Sequence, residues 1–433
     1  MPNPIALYDD NTSIKDVGKF VMEYESRQNA FVHSLVNRIA FVIITSKSWN
    51  SPLAWSKRGK LELGETIEEI FVNIGKTFSY DPEAAEDTWM RRELPDVRAA
   101  FHTMNFQKYY KVTIQRNDLA RAFLSWGNVN ELASYIVQTL YTKAEYDEFI
   151  TTKYMMCRYA INGFMRVDEV QGGDGLMKTM IKKVRSNSRK MTFLKSTYNR
   201  AGVMNSSPIG DQYVFLDADT EAEQIVDVLA SAFNMEKAEW VGRVQVLDTL
   251  YPEADEIKYL DELYEGNPNY EPFTDAELTT LKGIKAYVVD KSFFMIFDNL
   301  FESSQQPNGQ GLYWQYWLHA WKTFSVSPFA NAYVLLEGTS GVTSITLNPG
   351  ASNITPGSDM TFTATVNGNG LYPKEVYFSI AAQDNDTVLE SGTTIDPNTG
   401  RLHVSKGQAV GSKIVVTATA SGVTKTSVVT VTE

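Results

Sequence analysis

Few residue constellations in this chain could carry chemistry, and each is incomplete. Gly75-Lys76-Thr77 has the ending of a phosphate-binding loop, but the glycine needed five positions before Gly75 is Ile70. Without it the backbone cannot wrap a phosphate. Gly172-Gly173-Asp174-Gly175 fails as a dinucleotide fingerprint, because position 178 is Lys178 and no clear strand precedes it. The four histidines, His33, His102, His319 and His403, form no His-Glu-x-x-His pair and lack metal-ligand spacing. Each is expected to be packed or exposed rather than ligating. No Gly-x-Ser-x-Gly elbow exists. Asp217 and Asp219 could place two carboxylates near a cation at a strand end. The plainer expectation is that Asp219 or Thr220 caps the next helix, whose positive end favours acids. The expectation is therefore no enzyme, no metal and no cofactor.

One charge feature remains. Lys178, Lys182, Lys183, Arg185, Arg189, Lys190, Lys195 and Arg200 follow one another with no acidic residue between them. Such a run is either the solvated face of a helix or a surface facing phosphates or an acidic neighbouring subunit. Its helical core, Lys182, Lys183, Arg185, Arg189 and Lys190, is the candidate for contact with DNA or another subunit.

The elements that would carry these residues need a large chain. At 433 residues it has room for two or three domains. Hydrophobic residues make up 43% and charged residues 21%, a globular rather than disordered balance. The formal charge of -12 argues against a protein that coats nucleic acid, which needs clustered cations. It leaves room for a container whose wall merely faces DNA. Cys157 is the single cysteine, so no intrachain disulfide is possible. The amino terminus has no basic region ahead of an apolar run, and no secretory signal is expected. The run Ile39-Ala40-Phe41-Val42-Ile43-Ile44 is far shorter than the roughly 20 residues of a membrane helix, so no membrane partner is expected.

Composition changes near Gly338-Thr339-Ser340-Gly341, a short linker. All eight Trp precede it, and Thr, Val, Ser and Gly dominate after it. Five basic and seven acidic residues follow Thr339, which leaves -2 on the tail and -10 on the rest. Short β-branched runs recur in the tail at Val342–Leu347, Met360–Val366, Glu375–Ile380, Leu402–Ser405, Ile414–Ala420 and Ser427–Val431. Turn residues separate them, as expected of a small all-β sandwich.

The large part mixes helices and strands. Apolar spacing predicts a long helix over about 129–161, ended by Asn162-Gly163 and roughly 50 Å long. Leu132, Tyr135, Ile136, Leu140, Tyr146, Phe149, Ile150 and Cys157 would form one apolar stripe lying across a sheet. A second helix is predicted over 176–194, with Met177, Met180, Ile181, Val184 and Met191 on its inner side. A β-α-β unit follows: the strand Tyr213–Leu216, a capping box at Thr220 and Glu223, and the strand Val244–Leu247. Ala286–Val289 and Phe293–Phe297 flank Asp290-Lys291 and suggest a hairpin.

Several segments carry a family resemblance in their shared order. They are Phe31–Ile39, Leu63–Ile70, Ala122–Asn128, Asp227–Met235, Gly311–Trp317 and Phe329–Ala332. Over residues 31–336 the chain resembles the major capsid proteins of tailed phages, the Hong Kong 97-type α+β fold, and within them the head proteins of Picovirinae-type small podoviruses. The resemblance implies a capsid shell domain over residues 1–337. That domain would hold an amino-terminal arm, an extended E-loop near 49–81 and a peripheral domain with the 129–161 helix as its spine. An axial domain would fall near 175–299. Strands over Tyr313–Phe324 and Ala332–Leu336 would close the peripheral sheet. The tail, 341–433, resembles a bacterial Ig-like group 2 (BIG2) domain, a disulfide-free immunoglobulin-like sandwich, through Val342–Leu347, Pro356-Gly357, Phe362–Val366, Ile395-Asp396, Gly400–Leu402 and Val415–Ala420.

Under this resemblance the function is assembly. Copies would form hexamers and pentamers and close an icosahedral or prolate shell around double-stranded DNA, with a scaffolding protein and a portal as assembly partners. The virion would be the destination and the host cytoplasm the place of assembly. Each E-loop would lie over a neighbour, with Trp49 and Trp55 as anchors and Lys57, Arg58 and Lys60 meeting acidic partners. Ordinary packing inside the chain is the alternative for both tryptophans. The Ig-like domain would stand on the outer surface, where many copies could hold host glycans weakly, or serve only as a stabiliser. The competing function is a bacterial surface adhesin, which the Ig-like module alone would allow.

Overall fold

The computed structural model describes residues 51–62, 64–78, 92–115, 126–173, 176–220, 244–383 and 388–433, the side chains of 126–137 and 177 excepted. Trp49, the arm, and the segments 31–39, 122–125 and 227–235 lie outside these residues, as does Glu223 of the expected capping box.

Among the described residues, two larger sheets, a two-stranded one and one long helix build most of the large part. The four-stranded sheet runs β1 (Lys57–Lys60), β9 (Phe294–Asn308), β10 (Tyr313–Val326) and β4 (Phe106–Gln115) in spatial order. The hairpin β9–β10 dominates it, paired from Tyr313 against Asn308 to Val326 against Phe294. The five-stranded sheet has the order β5 (Arg166–Val170), β11 (Ala332–Glu337), β8 (Ile284–Asp290), β6 (Gln212–Asp217) and β7 (Val244–Leu247). The parallel pairing of β6 with β7 fits the expected β-α-β unit.

Two expectations need correction. Ala332–Leu336 does not close the four-stranded sheet; β11 sits inside the five-stranded one, between β5 and β8. β8 and β9 are not a hairpin, since they lie in different sheets. The turn after β8 is held by Phe293 N–H on Asp290 O and Ser292 N–H on Asp290 Oδ1. It aims Phe293 and Phe294 into the core beneath both sheets rather than back along β8.

The long helix α1 (Trp126–Ile161) ends as its sequence predicts. Gly163 has φ +71°, and the N–H groups of Gly163 and Phe164 close on Ala160 O and Tyr159 O, a Schellman cap. Its earlier part packs Leu140, Tyr141 and Ala144 on Tyr110, Leu318 and Ala320 of the four-stranded sheet. From Phe149 onward the helix is enclosed on nearly every side rather than along one stripe. The extra cover comes from α3 (Ala254–Leu263) and α4 (Asp275–Lys282), through Leu260, Tyr264 and Leu281.

Helix α2 (Leu176–Met191) covers the other face of the five-stranded sheet. Strand alternation makes the division. Ala286, Val288, Tyr333 and Leu335 meet Met180, Val184 and Met191 of α2. Tyr287, Val289, Val334 and Leu336 face the core under α1, α3 and α4. After β6 the chain is helical over residues 218–220, and Asp217 caps it by accepting the Thr220 N–H at 2.7 Å. The expected caps were Asp219 or Thr220; the strand-end carboxylate takes that place, so it is used by the backbone.

The tail is all β. Three small sheets, β12 (Gly341–Asn348) with β15 (Thr363–Asn369), β13–β20–β19–β16 and β14–β18–β17, enclose one core that includes Ile345, Phe362, Phe378, Leu402, Val416 and Val429. Here β13 is Ala351–Ile354, β14 Asp359–Thr361, β16 Tyr377–Ala382, β17 Thr394–Ile395, β18 Arg401–His403, β19 Lys413–Ala420 and β20 Val423–Val431.

Candidate assembly surfaces

Among the described residues, several exposed apolar side chains gather on a two-stranded hairpin, β2 (Ile67–Val72) and β3 (Val97–His102). Alternation splits its residues between two faces. Ile67, Glu69, Phe71, Ala100 and His102 face the body of the chain. Phe71 stacks on Phe329 with centroids 5.4 Å apart. Buried His102 places Nδ1 2.7 Å from Ser325 Oγ and Nε2 3.2 Å from Glu69 Oε2, while Ser327 Oγ donates to Glu69 Oε1 at 2.7 Å. This polar clasp fixes the hairpin's root.

The opposite face carries Ile70, Val72, Val97 and Phe101, each more than half exposed. Ile74, Phe78 and Leu94 extend the apolar surface toward the tip. The strand that pairs with β2 is β3, which lies beyond the range 49–81 expected for the E-loop. The sequence resemblance marked only the first of these strands. Apolar residues at alternate positions, Ile70 and Val72 on one strand and Val97, Ala99 and Phe101 on the other, are the signal that could have found the pair.

The residues expected to reach neighbours are largely occupied within the chain. Trp55 is half-buried and stacked on Tyr213, centroids 3.6 Å apart and planes 4° from parallel. Phe215 and Phe294 flank it. Lys57 pairs with Asp298 at 2.6 Å and Glu148 at 3.4 Å. Arg58 donates to the carbonyls of Phe294 and Lys291, both at 3.2 Å. Lys60 is exposed. Trp55 and Lys57 belong to the chain's own packing, the alternative raised for the tryptophan. Trp49 lies outside the described residues.

Buried charges along α1 were not foreseen. Glu148 meets both Lys322 and Lys57, joining the helix to β10 and β1. Burial pushes its carboxyl up, but the two ammonium groups outweigh this and hold it below its ordinary value. Burial likewise lowers Lys57, while Glu148 and Asp298 raise it to a net upward shift. Lys153, with its side chain wholly buried, reaches Glu256 at 3.0 Å and Thr249 Oγ1 at 2.8 Å. Arg158 pairs with Glu277 at 3.0 Å. These positions fall among the apolar residues of the helix, so a binary pattern reads them as solvent-facing. Cys157 is fully buried, and burial pushes its thiol up to about 12, leaving it unreactive.

The basic helix is present and one-sided. Lys178, Lys182, Arg189 and Lys190 are exposed, and Lys183 and Arg185 are half-buried, with Lys183 donating to Glu169 O. Phe193 and Leu194, just beyond its end, are also exposed.

The tail is held against the large part by the turn before β16. Leu371 is buried in the main core. Lys374 pairs with Glu277 at 3.0 Å, Arg200 with Glu375, and Ser340 N–H donates to Glu169 Oε1 at 2.6 Å. Among the described residues no three His, Cys, Asp or Glu gather as a metal-holding group, and no helix is long and apolar enough to cross a membrane.

Comparison with known proteins points to a structural role in a shell. Residues 8–336 match the family model described as the Phi29-like phage major capsid protein. The major capsid protein of Bacillus phage B103 is 35% identical over 386 residues, 88% of this chain and 80% of the relative. That of Bacillus phage PZA is 34% identical over 392 residues, 89% of this chain and 80% of the relative. The capsid structure of Staphylococcus phage Andhra matches with a TM-score of 0.53 at 16% identity, over 68% of this chain and 86% of that one.

Proposed function

The chain belongs to the Phi29-like phage major capsid protein family and serves in the virion shell; from that premise we propose that its copies join through the outer face of the β2–β3 hairpin. The observation that carries this is the apolar surface of Ile70, Val72, Val97 and Phe101. An apolar strand face of this size on a soluble chain is a liability unless a neighbour covers it. A second copy is always at hand in a shell, and the clasp at His102 presents the hairpin at a fixed angle to it. The adhesin alternative loses its ground, since the family match spans the large part and not only the tail.

In the same reading the copies form hexamers and pentamers through head-to-tail contacts and close an icosahedral or prolate shell around double-stranded DNA. A scaffolding protein and a portal would guide assembly. Trp49, together with Arg58 and Lys60, remains assigned to the neighbouring copy.

The tail is read as a BIG2-type immunoglobulin-like sandwich on the outer surface. Its three small sheets around one core and its lack of cysteine support this. The alignment with the B103 protein covers more of the chain than the 337 residues before the linker can supply, so it reaches into the tail. Weak contact of many copies with host glycans is the role that display would permit.

The test is Val72→Ser with Phe101→Ser, co-expressed with a scaffolding protein. The variant should melt within a few degrees of wild type, because both residues are exposed, yet give no closed shells by electron microscopy. Shells at wild-type yield would show that the hairpin face is not the contact.

A further inference from the structure

Two charged surfaces of opposite sign lie on opposite sides of the five-stranded sheet. On the α2 side, Lys178, Lys182, Arg189 and Lys190 are exposed and no carboxylate shares the helix. On the α3–α4 side, residues 253–277 hold nine acidic residues and one basic. Of these, Asp255, Asp261, Glu262, Glu265, Glu271 and Asp275 are exposed. The separation is built into the fold. Alternate residues of β8 and β11 point to opposite faces, and each face carries its own helices.

We propose that the basic face of α2 docks on the acidic α3–α4 face of the next copy in the ring. The inference rests on the capsid reading and names a second contact in it, separate from the hairpin. A surface whose complement lies on the far side of the same molecule makes a heterologous contact, and repeated rotation of such contacts closes a ring. The charges also steer approach, since each copy presents the sign its neighbour lacks.

DNA is the other polyanion that could meet α2. Two observations favour the protein partner. The acidic counter-surface belongs to every neighbour in the shell. Phe193 and Leu194 also stand exposed where the basic face ends, beside Arg189 and Lys190. An apolar patch adjoining a charged face suits a protein interface, whereas phosphates gain nothing from an exposed phenyl ring.

The experiment is a charge exchange in the full chain, with scaffolding protein present. Lys182→Glu/Lys190→Glu reverses the basic face, and Glu262→Lys/Glu265→Lys the acidic one. None of the four side chains makes an ion pair among the described residues, so circular dichroism and melting should match wild type. Each reversal alone should lower shell yield at least about tenfold, because like charges then face each other. The chain with all four substitutions should recover shells, since the signs are opposite again. Wild type assembled in parallel is the separate check on the capsid reading. Normal shells from either single reversal would overturn the proposal, as would failure of the fourfold variant to recover. Normal shells that retain less nuclease-protected DNA would assign α2 to DNA instead.

Discussion

Lys153 Nζ lies 3.0 Å from Glu256 Oε2, tying the last third of α1 to α3 with the lysine side chain wholly out of solvent. Thr249 Oγ1 and Asp248 Oδ1 complete the ammonium's contacts at 2.8 and 3.2 Å. A buried pair of this kind owes its stability to being complete. Glu256→Gln should therefore destabilise the subunit by about 3 kcal/mol, because only the exposed Asp248 then remains to compensate the buried ammonium. Lys153→Met/Glu256→Gln should be less destabilised than that single variant. Urea unfolding of the unassembled subunit measures both; a double variant worse than Glu256→Gln would show that the pair is not the reason.

The Glu148 cluster predicts an acid limb of stability. Its carboxyl is lowered on folding from the ordinary 4.5, so the stabilisation is complete above that value and is lost as pH falls below it, through the lowered value of the folded state. Lys57 is raised from 10.5, so its share is complete below that value and is lost only in strong alkali. Between about pH 7 and pH 4, then, only the carboxylate side titrates. Glu148→Gln should cost about 3 kcal/mol at neutral pH and progressively less below about pH 4.5. Melting temperatures of wild type and variant should differ steadily down to about pH 4.5 and draw together only below it; a constant difference there would exclude Glu148 as its source.

Trp55 stacks flat on Tyr213, and its buried Nε1–H has no hydrogen-bond partner among the described residues. Stacking area, not the polar atom, should therefore set its value. Trp55→Phe should be tolerated to within about 1.5 kcal/mol, as a shape-preserving change. Trp55→Ala should cost about 3 kcal/mol by leaving a gap over Tyr213. The unassembled subunit is the proper sample, because the effect lies inside one chain. A Trp55→Ala subunit as stable as wild type that still fails to assemble would return the ring to the role of intersubunit anchor.

What the sequence made legible was local. Asn162-Gly163 announced the end of α1 because a left-handed cap needs glycine at one position, whatever the tertiary context. Met180, Val184 and Met191 announced the inner face of α2 because helical spacing suffices. What stayed hidden depended on partners distant in the chain. Asp290-Lys291 looks like a hairpin turn between two apolar runs, yet those runs have better partners in β11 and β10. Lys153 and Glu148 look like the polar side of an amphipathic helix until α3 and β10 are laid over them. The hairpin face was missed for the same reason: Ile70 and Ala99 pair across 29 positions of chain.

The tail's attachment yields the last prediction. Gly163, at φ +71°, faces the backbone of the turn before β16, and a Cβ there would lie 2.3 Å from Pro373 Cα. Backbone cannot yield as a flexible side chain can, so Gly163→Ala must either displace the turn or break the Schellman cap. Displacing the turn draws Leu371 from the main core and opens the ion pairs of Lys374 and Arg200. Leu371→Ala removes the same anchor from the other side, at about 2–5 kcal/mol for a buried leucine. It keeps the cap of α1 intact. Both variants should therefore expose the linker at Gly338–Gly341 to protease, releasing the tail faster than from wild type. If only Gly163→Ala does so, the cap is responsible. If neither does, the tail is held by contacts other than this turn.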